Sequence, residues 1–403
     1  MTIDYPIARD ARCPYEPPAA YLDTLLTKPI TKARLWNGDQ AWLIVGHKES
    51  NEVLADDRFS ARPDVPGYPH VSPALAGYRK SGLETFNNKD NPQHSLERRM
   101  FTKWFTVRRI NSLHEKIADL VDRVLDGLIA EGDTADLYAQ LALPIPSQVI
   151  FAMLNAPYED HLVVEEATNT ILSWRSTTEE SAAASAVLLQ FCESLVKQRK
   201  EHPLDDDVIS EAIEEHVNTG QCTLEQLTQG IRLLFLAGHE TTANAISMSI
   251  LVLLDHPHLA AQLRESEDPA FVERAVKELL RFVTIAQAGR CRVALQDVTI
   301  GGVTIKAGEG VIVSSESANR DPSVFEHASE VDFDREHLQE SASFGYGTHR
   351  CVGERLAVVE LQVVLPAVLR KLPDLRLTVE RKDLPYKTDH TVFGVYELPV
   401  AWG

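Results

Sequence analysis

The chain of 403 residues carries 40 Lys and Arg against 59 Asp and Glu, and its net charge of −19 argues against nucleic acid, which attracts a basic protein surface. Apolar residues make up 44% and charged residues 25%, as in water-soluble globular proteins. The 5 cysteines are scattered without CxxC spacing, which favours a reducing compartment over a disulfide framework. The N-terminus lacks the apolar run of a signal peptide or an anchor, so we expect a cytoplasmic protein that is not bound to a membrane.

Taken in chain order, the β-rich stretches of the sequence are short and lie towards its two ends. Residues 33–45 predict a β-hairpin that turns at Asn37-Gly38. Residues 61–90 are rich in Pro, Gly, Tyr, Ser and Asn, and this composition predicts a mobile loop with little regular structure. Residues 292–305 predict a second hairpin.

Helical periodicity dominates the rest of the chain, from about residue 95 to residue 280. Within it, Thr223-x-x-Gln226 is a capping box that predicts the start of a helix. A last helix is predicted over residues 352–371, where Pro366 should kink it or end its regular hydrogen bonding. Because no repeat or linker divides the chain, we expect one domain over residues 1–403, mainly α with small β-sheets (α+β).

The most apolar helix, around residues 231–254, is interrupted by charged and small polar residues, which indicates a buried helix and not a membrane span. Gly238 is costly inside a helix, and the close approach of a flat cofactor would explain it. Thr241 can donate a hydrogen bond to the Ala237 carbonyl, which tends to open or bend a helix. Glu240 would then deliver protons towards that opening. The alternative is an ordinary core helix with a satisfied acid.

Residues 344–353 read Phe-Gly-Tyr-Gly-Thr-His-Arg-Cys-Val-Gly and contain the most informative spacing in the chain. The loop glycines permit a tight turn, and Cys351 stands where the following helix begins. The positive end of that helix should lower the pKa of the thiol and favour a thiolate metal ligand. Phe344 would cover the sulfur, and His349 can reach an anionic edge of a flat ligand. A buried cysteine in a Gly-rich turn is the alternative.

The spacing Phe-x-x-Gly-x-His-x-Cys-x-Gly resembles the haem-binding loop of the cytochrome P450 family, and the resemblance extends from about residue 15 to the end. It implies that haem b (iron protoporphyrin IX) lies between the helix around Thr241 and the helix after Cys351, with Cys351 as the axial ligand. Ala-Gly-x-Glu-Thr-Thr likewise resembles the distal motif of the family, in which the acid and the first threonine assist oxygen protonation. Glu240 and Thr241 are therefore the expected catalytic residues.

Two further motifs add to the resemblance. Glu278-x-x-Arg281 is similar to the family's structural pair, for which Arg335 is the expected third member, so we assign this triad to folding and not to chemistry. The haem propionates need cationic or hydrogen-bonding partners, because two buried unpaired carboxylates are prohibitively costly. The resemblance therefore implies cofactor-binding roles for residues of three segments: His94, Arg98, Arg292, Phe344, His349, Cys351 and Gly353.

The resemblance implies a monooxygenase that inserts one oxygen atom into a medium-sized, largely apolar small molecule. No Rossmann or flavin fingerprint is present, so electrons from NAD(P)H should arrive through a separate, acidic ferredoxin-type partner. Six cations are candidates for its docking patch, although a solvated helix face is an equal alternative: Arg99, Lys103, Arg108, Arg109, Arg350 and Arg355. Position within the resemblance gives eight candidate substrate contacts, all of which could instead be core: Phe86, Trp174, Leu236, Ala237, Val283, Ile285, Ala286 and Phe393.

Two other functions are compatible with these motifs. Fungal nitric oxide reductases share the expected fold, but they carry a small apolar residue where Glu240 stands, so the acid favours oxygen activation. A non-catalytic haem sensor or carrier is the second, and the Glu240–Thr241 pair argues against it. We expect a monomer.

Overall fold

A computed structural model of the chain describes residues 2–80 and 85–403. The helices among these residues are α1 (Ala19–Thr27), α2 (His47–Ala55), α3 (Pro73–Lys80), α4 (Gln93–Thr102), α5 (Val107–Asn111), α6 (His114–Glu131), α7 (Pro144–Met153), α8 (His161–Leu172), α9 (Thr178–Glu201), α10 (Val208–Ala212), α11 (Leu224–Gly238), α12 (Glu240–Asp255), α13 (Pro257–Glu265), α14 (Pro269–Val283), α15 (Ser315–Ala318) and α16 (Glu354–Lys371). The strands are β1 (Thr2–Asp4), β2 (Ile30–Arg34), β3 (Gln40–Ile44), β4 (Phe59–Ser60), β5 (Thr134–Asp136), β6 (Arg290–Ala294), β7 (Val298–Ile300), β8 (Val303–Ile305), β9 (Gly310–Val313), β10 (Arg376–Leu377) and β11 (Pro399–Ala401).

Both predicted hairpins are confirmed. Strands β2 and β3 pair antiparallel from Ile30 with Ile44 to Arg34 with Gln40, and Gly38 in their turn has a φ of 87°. Strands β7 and β8 pair antiparallel around Gly301 and Gly302, whose φ angles are also positive. Glycine meets this turn geometry without the steric cost that a side chain would add.

The strands form a six-stranded sheet in the order β1-β2-β3-β9-β6-β4, a three-stranded sheet in the order β10-β11-β5, and the two-stranded pair β7-β8. The largest sheet brings chain segments near residue 40 and near residue 300 together, because β3 pairs in parallel with β9 and β9 pairs antiparallel with β6. In this pairing Arg290 and Arg292 of β6 lie opposite Val313 and Val311 of β9.

Helix boundaries follow local sequence signals in several places. The predicted capping box is confirmed, since Thr223 accepts a hydrogen bond from the Gln226 backbone and the Gln226 side chain accepts one from the Thr223 backbone. The segment 61–90 is more regular than predicted, since helix α3 occupies part of it, and residues 81–84 lie outside the described residues. Helix α16 continues across Pro366, so the alternative that this proline ends the helix is wrong, while the kink stays a prediction.

Helix α12 lies at the centre of the main hydrophobic core. Almost every residue from Thr242 to Leu253 is buried, as expected for a helix that is surrounded by other helices. It packs with α14, α16 and the residues before α7, so the core is built mainly from helix-on-helix contacts. Within the described part of the chain, no helix is long and apolar enough to cross a membrane.

Candidate functional site

The loop of residues 344–353, called the cysteine loop below, is held in place by backbone hydrogen bonding and by its glycines. The Cys351 N–H donates to the Phe344 carbonyl at 2.9 Å, which closes the loop, and Gly345 and Gly347 have φ angles of 76° and 68°. A Cβ on Gly345 would meet Arg290 Nε at 2.7 Å, and a Cβ on Gly347 would meet the Leu54 carbonyl oxygen at 2.6 Å. The two glycines therefore make the turn and also leave space for a half-buried arginine and for helix α2.

Cys351 has accessible surface, although protein atoms surround it closely enough that burial raises the pKa of its thiol. These two observations agree if the sulfur faces an internal cavity. The Gly353 backbone N–H, Arg290 and Arg98 act in the opposite direction and stabilise the thiolate. The expected lowering of the pKa is wrong in its net direction, because desolvation outweighs these contributions. A bound metal ion is the partner that would deprotonate such a thiol.

A cluster of potential cations lies near this loop. The imidazole rings of His94 and His349 are 4.1 Å apart, and both nitrogens of His94 and Nδ1 of His349 are buried without a hydrogen-bond partner. Desolvation, with the charges of Arg98 and Arg292, lowers the pKa of His94 to about 4 and that of His349 to about 3. Two arginines and two neutral histidines with unpartnered nitrogens fit two carboxylates of a ligand. The donor set thus fits an iron porphyrin with two propionates.

The helix around Thr241 is interrupted at the position where the sequence predicts an opening. Helix α11 ends at Gly238 and α12 begins at Glu240, and the Thr241 hydroxyl donates to the Ala237 carbonyl at 2.7 Å, as predicted. Packing gives a second reason for Gly238. A Cβ there would lie 2.9 Å from the Ile150 side chain of α7, so a larger residue would crowd these two helices, and the approach of a flat cofactor stays a prediction.

Glu240 is buried in a network that the sequence did not indicate. Lys387 Nζ lies 2.5 Å from Glu240 Oε1, the Tyr138 hydroxyl donates to Oε2 at 2.9 Å, and the Asn244 amide donates to Oε1 at 3.1 Å. Lys387 Nζ also lies 2.6 Å from the Tyr138 hydroxyl oxygen. Three donors therefore converge on one carboxylate, and Thr241 is not among them.

This network keeps Glu240 ionised. Burial alone would raise the pKa of Glu240, but the charges of Lys387 and His390 and the hydrogen bond from Lys387 outweigh it and lower the pKa to about 2. Burial lowers the pKa of Lys387 more than Glu240 raises it. We regard the ion pair as formed at neutral pH, because the three donors to the carboxylate favour its anion. His239 Nε2, His390 Nε2 and Asn244 Oδ1 are buried nearby without partners, as water-binding atoms are.

The eight candidate substrate contacts do not form one group. Phe86 and Leu236 share a buried cluster against which Ile285 and Val352 pack, and Val352 adjoins Cys351. Ala237 is exposed and Ala286 is half-buried. Trp174 packs against a different cluster, formed by the N-terminal strands. Val283 and Phe393 are 0% and 1% exposed in the main core, with Phe393 between Arg9 and Tyr386, so neither presents surface to a cavity.

The three residues of the structural motif meet as expected. Arg281 donates two hydrogen bonds to the Glu278 carboxylate, at 2.7 and 2.8 Å, and Arg335 Nε donates to the same carboxylate at 2.9 Å. Arg281 also donates to the carbonyls of Asn319, Ala328 and Glu330. The side chains of Glu278, Arg281 and Arg335 are buried, and their contacts link α14 to the segment that leads into the cysteine loop.

Most cations of the candidate docking patch are paired within the chain. Lys103 pairs with Glu211 and Glu215, Arg109 with Asp206, Arg350 with Glu354, and Arg355 with Glu273. Among the described residues, Arg99 and Arg108 have no ion-pair partner. These pairs reduce the net positive charge of the patch, so Arg99 and Arg108 are the cations most available to a partner.

A mainly helical fold with one cysteine loop, a broken central helix and a cluster of two arginines and two histidines fits the class of proteins that bind an iron porphyrin through a thiolate. Comparison with known proteins identifies the family. The family model of cytochrome P450 matches residues 27–395. The chain belongs to the cytochrome P450 family, whose members are haem-binding oxidoreductases.

Relatives match along nearly their whole length. Cytochrome P450-SU2 of Streptomyces griseolus is 41% identical over 98% of this chain and 96% of its own. Vitamin D3 dihydroxylase of the same species is 37% identical over 100% of this chain and 98% of its own. The crystal structure of the mycinamicin VIII C21 methyl hydroxylase MycCI from Micromonospora griseorubida has a TM-score of 0.91 and 34% identity, over 99% of this chain and 100% of that chain.

Proposed function

We propose that this chain is a monooxygenase that inserts one oxygen atom from O2 into a medium-sized, largely apolar small molecule. Cys351 would hold the iron of haem b, and His94, Arg98, Arg292 and His349 would hold its propionates. The observation that carries the proposal is the pair of His94 and His349 near the cysteine loop, because no group among the described residues partners the three buried nitrogens of this pair. Two relatives are named for the hydroxylation of small molecules, vitamin D3 and mycinamicin VIII, which supports oxygen insertion into a small molecule.

Haem with a thiolate ligand supplies oxygen activation, since the thiolate donates electron density that favours O–O cleavage. The residues of the chain would control where substrate and protons go. Thr241 donates its hydroxyl hydrogen to Ala237, so its oxygen lone pairs are free to accept a hydrogen bond from water at the helix break. Ile285, which packs against the buried cluster of Phe86 and Leu236, offers an apolar wall for substrate.

Protons would reach this opening through Glu240. Because Glu240 is held as an anion, it must first accept a proton, and the nearest proton donors are Lys387 Nζ and the Tyr138 hydroxyl. A proton that moves from Lys387 to Glu240 converts the ion pair into a neutral pair, and solvent then reprotonates the amine. The network would thus separate the site from bulk water while still admitting protons one at a time.

Electrons would come from NAD(P)H through a separate ferredoxin and its reductase. Arg99 and Arg108 are the best candidates for contact with an acidic ferredoxin, because the other patch cations already have acidic partners in the chain. That the protein is a monomer, a single domain and cytoplasmic stays a prediction.

The proposal is tested by adding carbon monoxide to the reduced, haem-loaded protein and by screening vitamin D3 and mycinamicin VIII for a shift of the haem spin state. The thiolate-type carbonyl spectrum and a spin-state shift with at least one apolar compound are the expected results, and ferredoxin-supported turnover should then add one oxygen atom. NADH oxidation driven by nitric oxide, without any partner protein, would instead identify a nitric oxide reductase. Haem binding without turnover of any ligand would identify a sensor or carrier.

A further inference from the structure

Arg290 is a half-buried arginine that the sequence motifs did not single out. It stands two residues before Arg292 on β6, so both side chains leave the same face of the strand. Its guanidinium donates to the Ser315 hydroxyl on one side and to the Ser343 carbonyl, at 3.1 Å, on the other. It therefore bridges α15 and the cysteine loop.

The loop is shaped around this side chain. Gly345 has a φ of 76°, and a Cβ at that position would lie 2.7 Å from Arg290 Nε and 3.2 Å from its Cζ. The guanidinium consequently packs on the backbone of the loop whose Phe344 carbonyl accepts the Cys351 N–H. Neutral hydroxyl and carbonyl groups are its hydrogen-bond partners, and among the described residues it forms no ion pair with a carboxylate.

Arg290 keeps its charge in this position. Burial lowers the pKa of its guanidinium to about 10, while the neighbouring Cys351 raises it, so the group is still a cation at neutral pH. The other charges that act on it are those of Arg292 and Arg350, which are also positive. Among the groups that act on the pKa of Arg290, Cys351 is the one whose ionised form, as in a thiolate bound to iron, favours the cation.

The neighbouring arginines differ from Arg290 in how their charges are offset. Arg350 is neutralised by Glu354 through two contacts, at 2.7 and 2.8 Å. Arg98 and Arg292 would be offset by the two propionates. A ferrous porphyrin with a thiolate ligand carries one negative charge beyond its propionates, and the ferric form carries none. Arg290 is the cation left to balance that charge.

We propose that Arg290 is a charge-tuning residue of the haem site, whose uncompensated positive charge stabilises the reduced iron–thiolate centre and so raises its reduction potential. The inference rests on the proposed function, because it requires haem bound through Cys351. Its physical basis is that a fixed charge in a poorly solvated site acts on a nearby redox centre with little screening. A higher reduction potential would favour electron transfer from a ferredoxin to the iron.

The test is a mediator-based reductive titration of the haem-loaded protein. Arg290→Gln should lower the equilibrium constant for one-electron reduction on the order of tenfold, which is about 59 mV. Arg290→Lys keeps the charge and should retain most of the wild-type potential. The matched control, Arg350→Gln with Glu354→Gln, removes a pair of zero net charge near the same loop and should leave the potential unchanged.

The carbonyl spectrum of each variant separates the possible failures. A wild-type protein without the thiolate-type spectrum would overturn the proposed function and this inference together. A wild-type potential in an Arg290→Gln variant with the intact thiolate spectrum would overturn the inference alone. If Arg290→Gln and Arg290→Met both fail to retain haem while Arg290→Lys retains it, Arg290 is a binding group and not a tuning group, and the inference is also overturned.

Discussion

Replacing Lys387 by Met should reverse the pH dependence that Glu240 contributes to stability. In the wild type, the pKa of Glu240 is lowered to about 2, mainly because Lys387 and His390 overcome the effect of burial. An unfolded glutamate has a pKa of about 4.3. The wild-type contribution is therefore present above that value and is lost as the pH falls towards 2.

In Lys387→Met the carboxyl group stays buried without its cation, so its pKa rises above that of the unfolded chain. The sign is then opposite: the variant is least destabilised at low pH and loses stability as the pH rises through the folded-state pKa. Holding a carboxyl of unfolded pKa ~4.3 in its protonated form costs about 3.7 kcal/mol at pH 7 and about 1 kcal/mol at pH 5. The larger value agrees with the about 3–5 kcal/mol expected when one partner of a buried ion pair is removed.

The assay is thermal unfolding of wild type and variant at pH 5, 6, 7 and 8. For a chain of 403 residues, 1 kcal/mol corresponds to roughly 1 °C in apparent Tm, so the difference between the proteins should grow from about 1 °C at pH 5 to about 4 °C at pH 7. Burial lowers the pKa of His239 and of His390, the latter to about 4, so both histidines cost stability as the pH falls below their unfolded value, but they do so in wild type and variant alike. Tyr138 and Asn244, which donate hydrogen bonds to Glu240, do not titrate in this range.

The control is the double variant Lys387→Met with Glu240→Gln, which removes the titrating group. Its difference from wild type should show no growth between pH 5 and pH 8. A Lys387→Met protein whose apparent Tm deficit is the same at pH 5 and pH 7 would refute the conclusion that Lys387 holds Glu240 ionised.

Three further predictions concern the other buried charges and the surface. Glu278→Gln leaves Arg281 and Arg335 without their carboxylate and should lower the free energy of unfolding by about 3–5 kcal/mol, seen as a lower apparent Tm. The control, Glu273→Gln at a half-buried pair, should lower it by at most about 1 kcal/mol. Similar losses of stability in both variants would contradict a special role for the triad. His94→Phe and Arg98→Leu should each weaken haem retention by about 1.5–3 kcal/mol, measured by transfer of haem to apomyoglobin, while Ser95→Ala on the same helix should have no such effect. Charge reversal at Arg99 and Arg108 should slow ferredoxin-dependent turnover and spare peroxide-driven turnover, and an equal loss of both would end the docking idea.

The candidate site was predicted well where neighbouring residues in the chain form it. The cysteine loop, the hydrogen bond from Thr241 to Ala237 and the Glu278–Arg281 pair all depend on groups that lie within ten residues of one another. Local spacing fixes such contacts before the chain folds. Substrate contacts were predicted less well, because burial in the main core or exposure to a cavity depends on distant segments, as Val283 and Phe393 show.

By itself, the sequence determined the fold class, both hairpins, the helix cap at Thr223 and the spacing of the cysteine loop, since periodicity and turn residues act over a few positions. Only the tertiary structure decided which charges meet. Lys387 and Glu240 are 147 residues apart, and Arg290 and Ser343 are 53 apart. No local pattern marks such partners, because a buried charge is stabilised by whatever the folded chain places beside it. The same fold that leaves Cys351 exposed therefore sets how protons and charge can reach it.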